Sequence, residues 1–275
     1  MLVRQRQEVQ ALSRSLTLSE SATSRILDWE GCFNVRDLGG LPITEGEQVR
    51  FGALVRSDIP SRLTETGRKS LVEHGVRTIV DLRFKEEVAS DWDAYPFHGT
   101  DSANVRYWNV PFDTGNDPAL RDELRAAYRA AQNRVELNRL DIDLHGAGIA
   151  AAVGAIADAP MGGVLVHCHA GKDRTGAVVA VVLALLGVAD EDIADDYAMT
   201  AINFEPLIVE WLDGVTDDLA ERDRLRALAM PAREAMLDTL AHLRERYGSA
   251  EQYLRAGGVT DEQMDRLRAR LIDRG

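Results

Sequence analysis

The chain has 275 residues, 45% of them hydrophobic, with 45 Asp and Glu against 32 Lys and Arg and a formal net charge of −13. That length allows one large or two modest domains around a buried core. The acidic surplus excludes a broad electrostatic attraction to nucleic acid or to an anionic membrane, so any anion has to be captured by a local positive site.

In chain order, MLVRQRQEVQALSRSL carries basic residues but no apolar h-region, so no signal peptide is expected. Residues 1–27 read as a loose tail or a short helix. The texture changes at Cys32: NVRDLGG ends in the turn-forming pair Gly39-Gly40, and the strand-like Val49 to Asp58 follows, which predicts a hairpin-like opening. Leu63 to Gly75 carries Thr64 as an N-cap signal and Gly75 as a C-cap signal, and predicts a short helix. The β-branched run from Val76 to Arg83 predicts a buried strand, parallel because a helix precedes it. Val105 to Phe112 predicts another strand, and 118–140 an amphipathic helix. Gly148 to Ala159 reads as a small-residue helix and Gly162 to Cys168 as a short buried strand. The run from Ala177 to Leu186 has no polar face and predicts a helix buried on all sides. Even extended to Ala189, this longest apolar run is shorter than the ~20 residues needed to span a bilayer.

Beyond Asp190, helical patterns are expected to break at Pro206, Gly214, Pro231, Gly248 and Gly257-Gly258. Strands alternating with helices, followed by a helical tail, predict an α/β fold: a central, mostly parallel sheet flanked by helices, with C-terminal helices on one side. No repeat or low-complexity linker marks a boundary, so 1–275 is read as a single domain. Two cysteines, Cys32 and Cys168, are too few for a disulfide framework and fit a reducing compartment, so a soluble cytoplasmic protein without stable membrane association is expected.

The chemistry concentrates in VHCHAGKDRTG, residues 166–176. In an open α/β sheet, ligands bind beyond the carboxyl ends of the strands, where loops lead into helices, and this stretch has that order of strand, loop and apolar helix. A helix N-terminus offers unsatisfied N–H groups and a positive dipole end, and the amides around Ala170, Gly171 and Lys172 can converge on an anion. The same field lowers a thiol from a pKa of about 8.5 into the range of roughly 3.5 to 7.5, so Cys168 is expected to be a thiolate nucleophile. Arg174 closes the loop with a planar guanidinium that can bind two phosphate oxygens at once. Thr175 can donate its hydroxyl to the thiolate, while Gly171 and Gly176 permit the turn and close helix packing. Attack on phosphorus also needs a proton donor for the leaving oxygen. Proximity favours Asp173, although Lys172 and Arg174 beside it depress its pKa; Asp113, after the 105–112 strand, is the competitor, and the residues alone leave the two open.

HCHAGKDRTG, with NVRDLGG (34–40), LVRSD (54–58), IVDLR (79–83) and YGSAEQYLRAGGV (247–259), resembles the bacterial tyrosine-phosphatase-like family of the mycobacterial PtpB type. The resemblance implies a protein-tyrosine-phosphatase-like fold and a two-step mechanism without metal or cofactor, through a phosphocysteine on Cys168. It also implies a phosphorylated substrate: a phosphotyrosine protein, or a small phosphomonoester such as a phosphoinositide, nucleotide or sugar phosphate. Lys172 and Asp173 are shared with the lipid-active types, and the loop aspartate is the family's usual acid. A helical lid is implied at 118–145, and Asn34, Arg36 and Asp37 match a start motif that braces the site.

Competing readings are blander. Cys168 could be a buried structural thiol, and Cys32 reads as apolar filler, with a protective disulfide between them as a weaker alternative. His167 is expected to orient the loop backbone, and His169 to face solvent at the pocket rim. Lys172 is by default a surface lysine, with a substrate contact from its place in the loop as the equal alternative. Arg121, Arg125, Arg129 and Arg134 read as a solvated face and Tyr128 as a packing contact. The histidines show no metal-ligand spacing. A non-catalytic phosphate-binding module or a rhodanese-like sulfurtransferase are the rivals from other classes; the arginine six positions after the cysteine and the threonine after it suit a tetrahedral phosphate.

Overall fold

The structure, a computed structural model, describes residues 25–90, 97, 105–112 and 126–275. The expected tail therefore lies outside the described residues apart from Arg25 to Leu27, as do Asp113 and positions 118–125.

Seven strands are described: β1 (Arg36–Asp37), β2 (Gln48–Val49), β3 (Leu54–Ser57), β4 (Val76–Asp81), β5 (Arg106–Asn109), β6 (Gly163–His167) and β7 (Ile272–Asp273). Five form one sheet in the order β1-β3-β6-β4-β5, with β1 antiparallel to β3 and the remaining pairs parallel. This is the mostly parallel sheet expected, including the antiparallel opening. The strand-like run from Val49 is shorter than expected, because a turn at Phe51–Ala53 separates β2 from β3.

Side chains alternate along the strands, so each sheet face is buried under its own layer. Leu54, Val80, Val164 and Val166 point into one core, whereas Val55, Ile79 and Leu165 join Trp29, Cys32 and Leu71 in the other. Helix α1 (Glu65–Glu73) covers the second face and begins as its sequence predicts, with the Thr64 hydroxyl accepting from Gly67 N at 3.2 Å. A short helix α2 (Lys85–Ser90), not foreseen from the sequence, follows β4.

The first face is covered by α3 (Arg134–Leu144), α4 (Gly146–Asp158) and α5 (Asp173–Leu186). Every residue from Thr175 to Leu183 in α5 is buried, as its unbroken apolar run requires. Each such valine or leucine contributes about 1.5–3 kcal/mol on burial, so a charge at Val181, which has no exposed surface, would break the layer.

The C-terminal helices are α6 (Asp190–Val215), α7 (Leu219–Ala229), α8 (Arg233–Tyr247), α9 (Ala250–Ala256) and α10 (Asp261–Leu271). They pack on this side, and β7 pairs with β2 to tie down the chain end. Breaks occur at Pro231, Gly248 and Gly257-Gly258 as expected, but α6 runs through Pro206, giving up the one backbone bond that proline cannot donate. The expected 118–140 helix is also divided: residues 126–130 are helical, 131–133 are not, and Asn133 then caps α3 by accepting from Glu136 N at 3.0 Å. Among the described residues no single helix is long and apolar enough to cross a membrane.

One consequence of register positions the site. Ser57 and Asp81 both pair with His167, and Asp81 pairs with Asn109, so β3, β6, β4 and β5 end flush. The segments that follow them leave the sheet from one edge, and the 168–172 loop leaves from the central strand.

Candidate active site

Cys168 is the first residue past β6, 2% exposed, on the floor of the loop that feeds α5. His167 has the orienting role expected of it: its ring Nδ1–H donates to the Cys168 carbonyl at 2.8 Å, while Nε2 lies 3.7 Å from Asp81 Oδ2. Burial pushes His167 below its ordinary pKa, which leaves one ring proton, on the nitrogen that faces the carbonyl. His169 faces solvent, and its carbonyl accepts from Ile59 N at 3.0 Å. Ala170 is half-buried. Gly171 adopts φ 66° against the end of β3, and Gly176 lets Tyr197 of α6 pack closely on α5. Thr175 is fully buried and its hydroxyl has no hydrogen-bond partner among the described residues. Cys32 and Cys168 are not joined by a disulfide and belong to the two separate cores, and the Cys32 thiol donates to Ile59 O at 3.6 Å.

Arg174 lies on the first turn of α5, where the sequence places it, but it has a partner that the sequence did not suggest. Its Nη1 and Nη2 donate to the two carboxylate oxygens of Glu87 on α2 at 2.5 and 2.9 Å. Burial alone would raise the Glu87 carboxyl, yet the hydrogen bonds and charge of Arg174 hold it below the usual range. A guanidinium has five N–H donors, so this end-on grip uses two and leaves the Nε edge for an anion. The Phe84 ring lies 5.0 Å from Arg174 Cζ.

Lys172 is not a surface lysine. It is 7% exposed; its ammonium donates to Ala229 O at the end of α7 at 2.6 Å and lies 5.5 Å from the Phe204 ring centre. Asp173 stands between two cations, with Arg134 Nη2 at 2.7 Å and Lys172 Nζ at 3.4 Å. Burial works to raise its carboxyl, but Arg134 and then Lys172 outweigh it and hold Asp173 below the ordinary carboxylate range. Arg134 therefore belongs to the site and not to a solvated face: it is 8% exposed, and its Nη1 also donates to Leu228 O at 3.0 Å. Of the segment expected as a lid, α3 packs on α5 and α8 and meets the loop through this arginine. Tyr128 makes more than a packing contact, donating to Asp141 at 2.5 Å with His145 Nε2 at 3.1 Å from its hydroxyl.

Beneath the loop, Asn34 Nδ2 donates to the carbonyls of Ala170 and Gly171, both at 3.1 Å, and Arg56 Nη2 donates to Gly171 O at 2.9 Å. Arg36 and Arg56 converge on the Asp196 carboxylate of α6 at 2.9 and 2.7 Å, and Arg25 joins them at 2.9 Å. The bracing expected of the start motif is thus made by Asn34 and Arg36. Asp37 instead ties the opening turn, accepting from Gly39 N and Gly52 N at 2.8 and 2.7 Å. Arg56, Glu87 and Asp196 were missed by sequence reasoning; the available signal was a charged residue inside an otherwise apolar stretch, as in ALVRSD and IADDYAM. Among the described residues no cluster of three or more His, Cys, Asp or Glu could hold a metal ion.

A sequence profile of the tyrosine phosphatase family matches residues 27–273. The chain is similar to a tyrosine-protein phosphatase of Nostoc commune, 27% identical over 258 residues that cover 85% of this chain and 79% of that protein. It is similar also to the triple specificity protein phosphatase PtpB of Mycobacterium tuberculosis, 27% identical over 272 residues covering 88% of this chain and 97% of that one. A crystal structure of TpbA from P. aeruginosa aligns over 71% of this chain and 89% of its own at 18% identity and a TM-score of 0.30.

Proposed function

Because the chain belongs to the tyrosine phosphatase family and is a cysteine-dependent phosphatase, we propose that Cys168 is its nucleophile, that Arg174 and the loop amides hold the phosphoryl group, and that Asp173 is the acid. The observation that carries this reading is the position of Cys168, buried one residue beyond the central strand, with Arg174 on the first turn of the helix behind it.

The Cys168 thiolate attacks phosphorus, forming an S–P bond as the P–O bond to the leaving group breaks. The departing oxygen takes the Asp173 proton. Water then attacks the phosphocysteine, Asp173 takes the water's proton, and the S–P bond breaks to release phosphate and the thiolate. The Thr175 hydroxyl, buried and without a hydrogen-bond partner among the described residues, is available to the thiolate in both steps. Arg134 opposes the acid role in the resting protein by holding Asp173 ionised. A phosphoryl dianion bound beside Asp173 opposes Arg134 in turn and raises the carboxyl, so substrate binding favours the protonated, neutral acid.

The substrate is a phosphorylated molecule, and an aryl phosphate of the phosphotyrosine type is the one we favour. Phe84, against Arg174, offers an aromatic surface beside the phosphate, and the two curated relatives above carry protein-phosphatase names. A small phosphomonoester uses the same loop chemistry and is the alternative. A chain with only two cysteines, both as thiols, supports a reducing, cytoplasmic location.

Cys168→Ser should abolish turnover of p-nitrophenyl phosphate while leaving the fold intact; an active variant overturns the assignment. Asp173→Asn should slow poor leaving groups most, by about 100- to 10,000-fold. If only Asp113→Asn does so, the acid is Asp113. A panel of phosphotyrosine peptide, phosphoinositide, nucleotide and sugar phosphate decides the substrate class.

A further inference from the structure

We infer that Asn34 and Arg56, both oriented by the buried Asp196, are positioning residues that aim the backbone N–H groups of Gly171 and Lys172 into the phosphate site. The inference rests on the phosphatase reading of the loop and adds to it the groups that give the loop its polarity.

In a trans peptide the carbonyl of one residue and the N–H of the next point in opposite directions. Asn34 Nδ2 holds the Ala170 carbonyl at 3.1 Å, so the Gly171 N–H faces the other way. Arg56 Nη2 and Asn34 Nδ2 hold the Gly171 carbonyl at 2.9 and 3.1 Å, so the Lys172 N–H also faces the other way. Both carbonyls are drawn beneath the loop toward β1 and β3, and both amides are turned to the opposite side. Two successive N–H groups with a shared direction form an anion-binding concavity.

The side chains that hold these carbonyls are themselves fixed. Asn34 has its amide orientation set by Arg36 Nη1, which donates to Asn34 Oδ1 at 2.6 Å. Arg36 reaches Asp196 through Nε at 2.9 Å, and Arg56 reaches the other carboxylate oxygen through Nη1 at 2.7 Å. Arg36 Nη2 also donates to the Asp196 carbonyl at 2.6 Å and to Thr200 Oγ1 at 3.0 Å. Asn34, Arg36, Arg56 and Asp196 are each no more than 1% exposed, so no water competes for these donors.

The charge balance supports the same role. Three buried guanidiniums, from Arg25, Arg36 and Arg56, share the one Asp196 carboxylate. Burial and then the charge of Arg56 push Arg36 down to about 10, and three guanidiniums on one carboxylate leave a local excess of positive charge. A phosphoryl dianion on the other side of the loop relieves that excess.

Asp196 itself is a poor test position, because its loss leaves three buried cations unpaired and endangers the fold. Arg56→Met keeps the length and leaves Asp196 with two partners, while Asn34→Ala removes the carbonyl grip and spares the arginine–aspartate core. In each, the inhibition constant of inorganic phosphate and the KM for p-nitrophenyl phosphate should rise together by about 10- to 100-fold, the loss of one or two hydrogen bonds to a charged group. The change in kcat should stay below about threefold, since the amides hold the phosphoryl oxygens in ground and transition states alike. A merely structural role would instead lower kcat through lost folded protein and leave KM unmoved.

In the wild-type protein, titration with inorganic phosphate should move the Gly171 and Lys172 amide protons downfield. Unmoved amides, or folded variants whose phosphate inhibition stays within twofold of wild type, overturn the inference whether or not the other variant folds. If Cys168→Ser is inactive while those results hold, only the positioning role falls; an active Cys168→Ser would remove the phosphatase reading itself.

Discussion

Gly171→Ala tests the local geometry of the loop most directly, and its cost can be worked from the structure. The residue has φ 66°, which an L-side chain adopts at about 1–2 kcal/mol. An added Cβ would lie 2.3 Å from Ser57 O and 2.7 Å from Asp58 N, where non-bonded carbon contacts sit near about 3.5 Å. Both neighbours are backbone atoms at the end of β3, fixed by the parallel register with β6, so the loop has to rise by about 1 Å. That lift stretches the 2.9 and 3.1 Å bonds to the Gly171 carbonyl. Strain and overpacking together amount to about 3 kcal/mol, or about 6–12 °C in Tm for a chain of this size.

A phosphate cradle displaced by about 1 Å from its nucleophile should lose about 100-fold in kcat/KM. Gly75→Ala is the matched control, because Gly75 has φ 98°, its added Cβ meets nothing within 4 Å among the described residues beyond its chain neighbours, and it precedes β4 at the opposite end of the sheet. It should lose about 2–8 °C in Tm and no activity. Thermal melts and steady-state kinetics on p-nitrophenyl phosphate measure both. If Gly171→Ala melts like Gly75→Ala and keeps kcat/KM within about threefold, the close approach of loop to strand is not what sets the cradle.

Arg134→Met removes the cation that holds Asp173 ionised; the carboxyl then keeps its proton to higher pH, and the alkaline limb of the kcat–pH profile should move upward. An unmoved limb would separate Asp173 from the acid step. Asp58 gives a stability test, because burial pushes its carboxyl up to about 6 even though the Asn34 and Phe33 amides donate to it. Its folded-state pKa lies above the unfolded value of about 3.9, so its contribution is full below about pH 4 and is lost as pH rises through about 6. The margin by which wild type exceeds Asp58→Asn should therefore shrink by about 3 kcal/mol between those limits. Denaturant melts at several pH values measure it, and a flat difference would show that the buried carboxyl titrates as an ordinary one.

What the sequence made legible is what lies contiguous in it. The loop, the helix N-terminus behind it and the strand in front of it occupy one short stretch, so Cys168, Arg174 and the turn at Gly171 could be placed from spacing alone. The alternation that buries Val55 and Leu165 on one face and Leu54 and Val164 on the other is also a local pattern. Pro206 misled because a breaker signal states only that one backbone bond is missing, and a helix of 26 residues tolerates that.

The partners of the loop were hidden for a different reason. Glu87, Arg134 and Asp196 reach it across the chain, and a charged side chain in a helix is ordinarily solvated. Their context was nevertheless informative. Arg56 stands two residues after Leu54, so a two-residue period puts it on the same core-facing side of β3. Asp196 lies between Ile193 and Tyr197 on the buried stripe of α6. A cation committed to the interior by strand period and an anion committed to it by helix period each require an opposite partner, because neither can be buried alone. In this fold Arg36 and Arg56 find that partner in Asp196, under the loop whose carbonyls Arg56 and Asn34 hold.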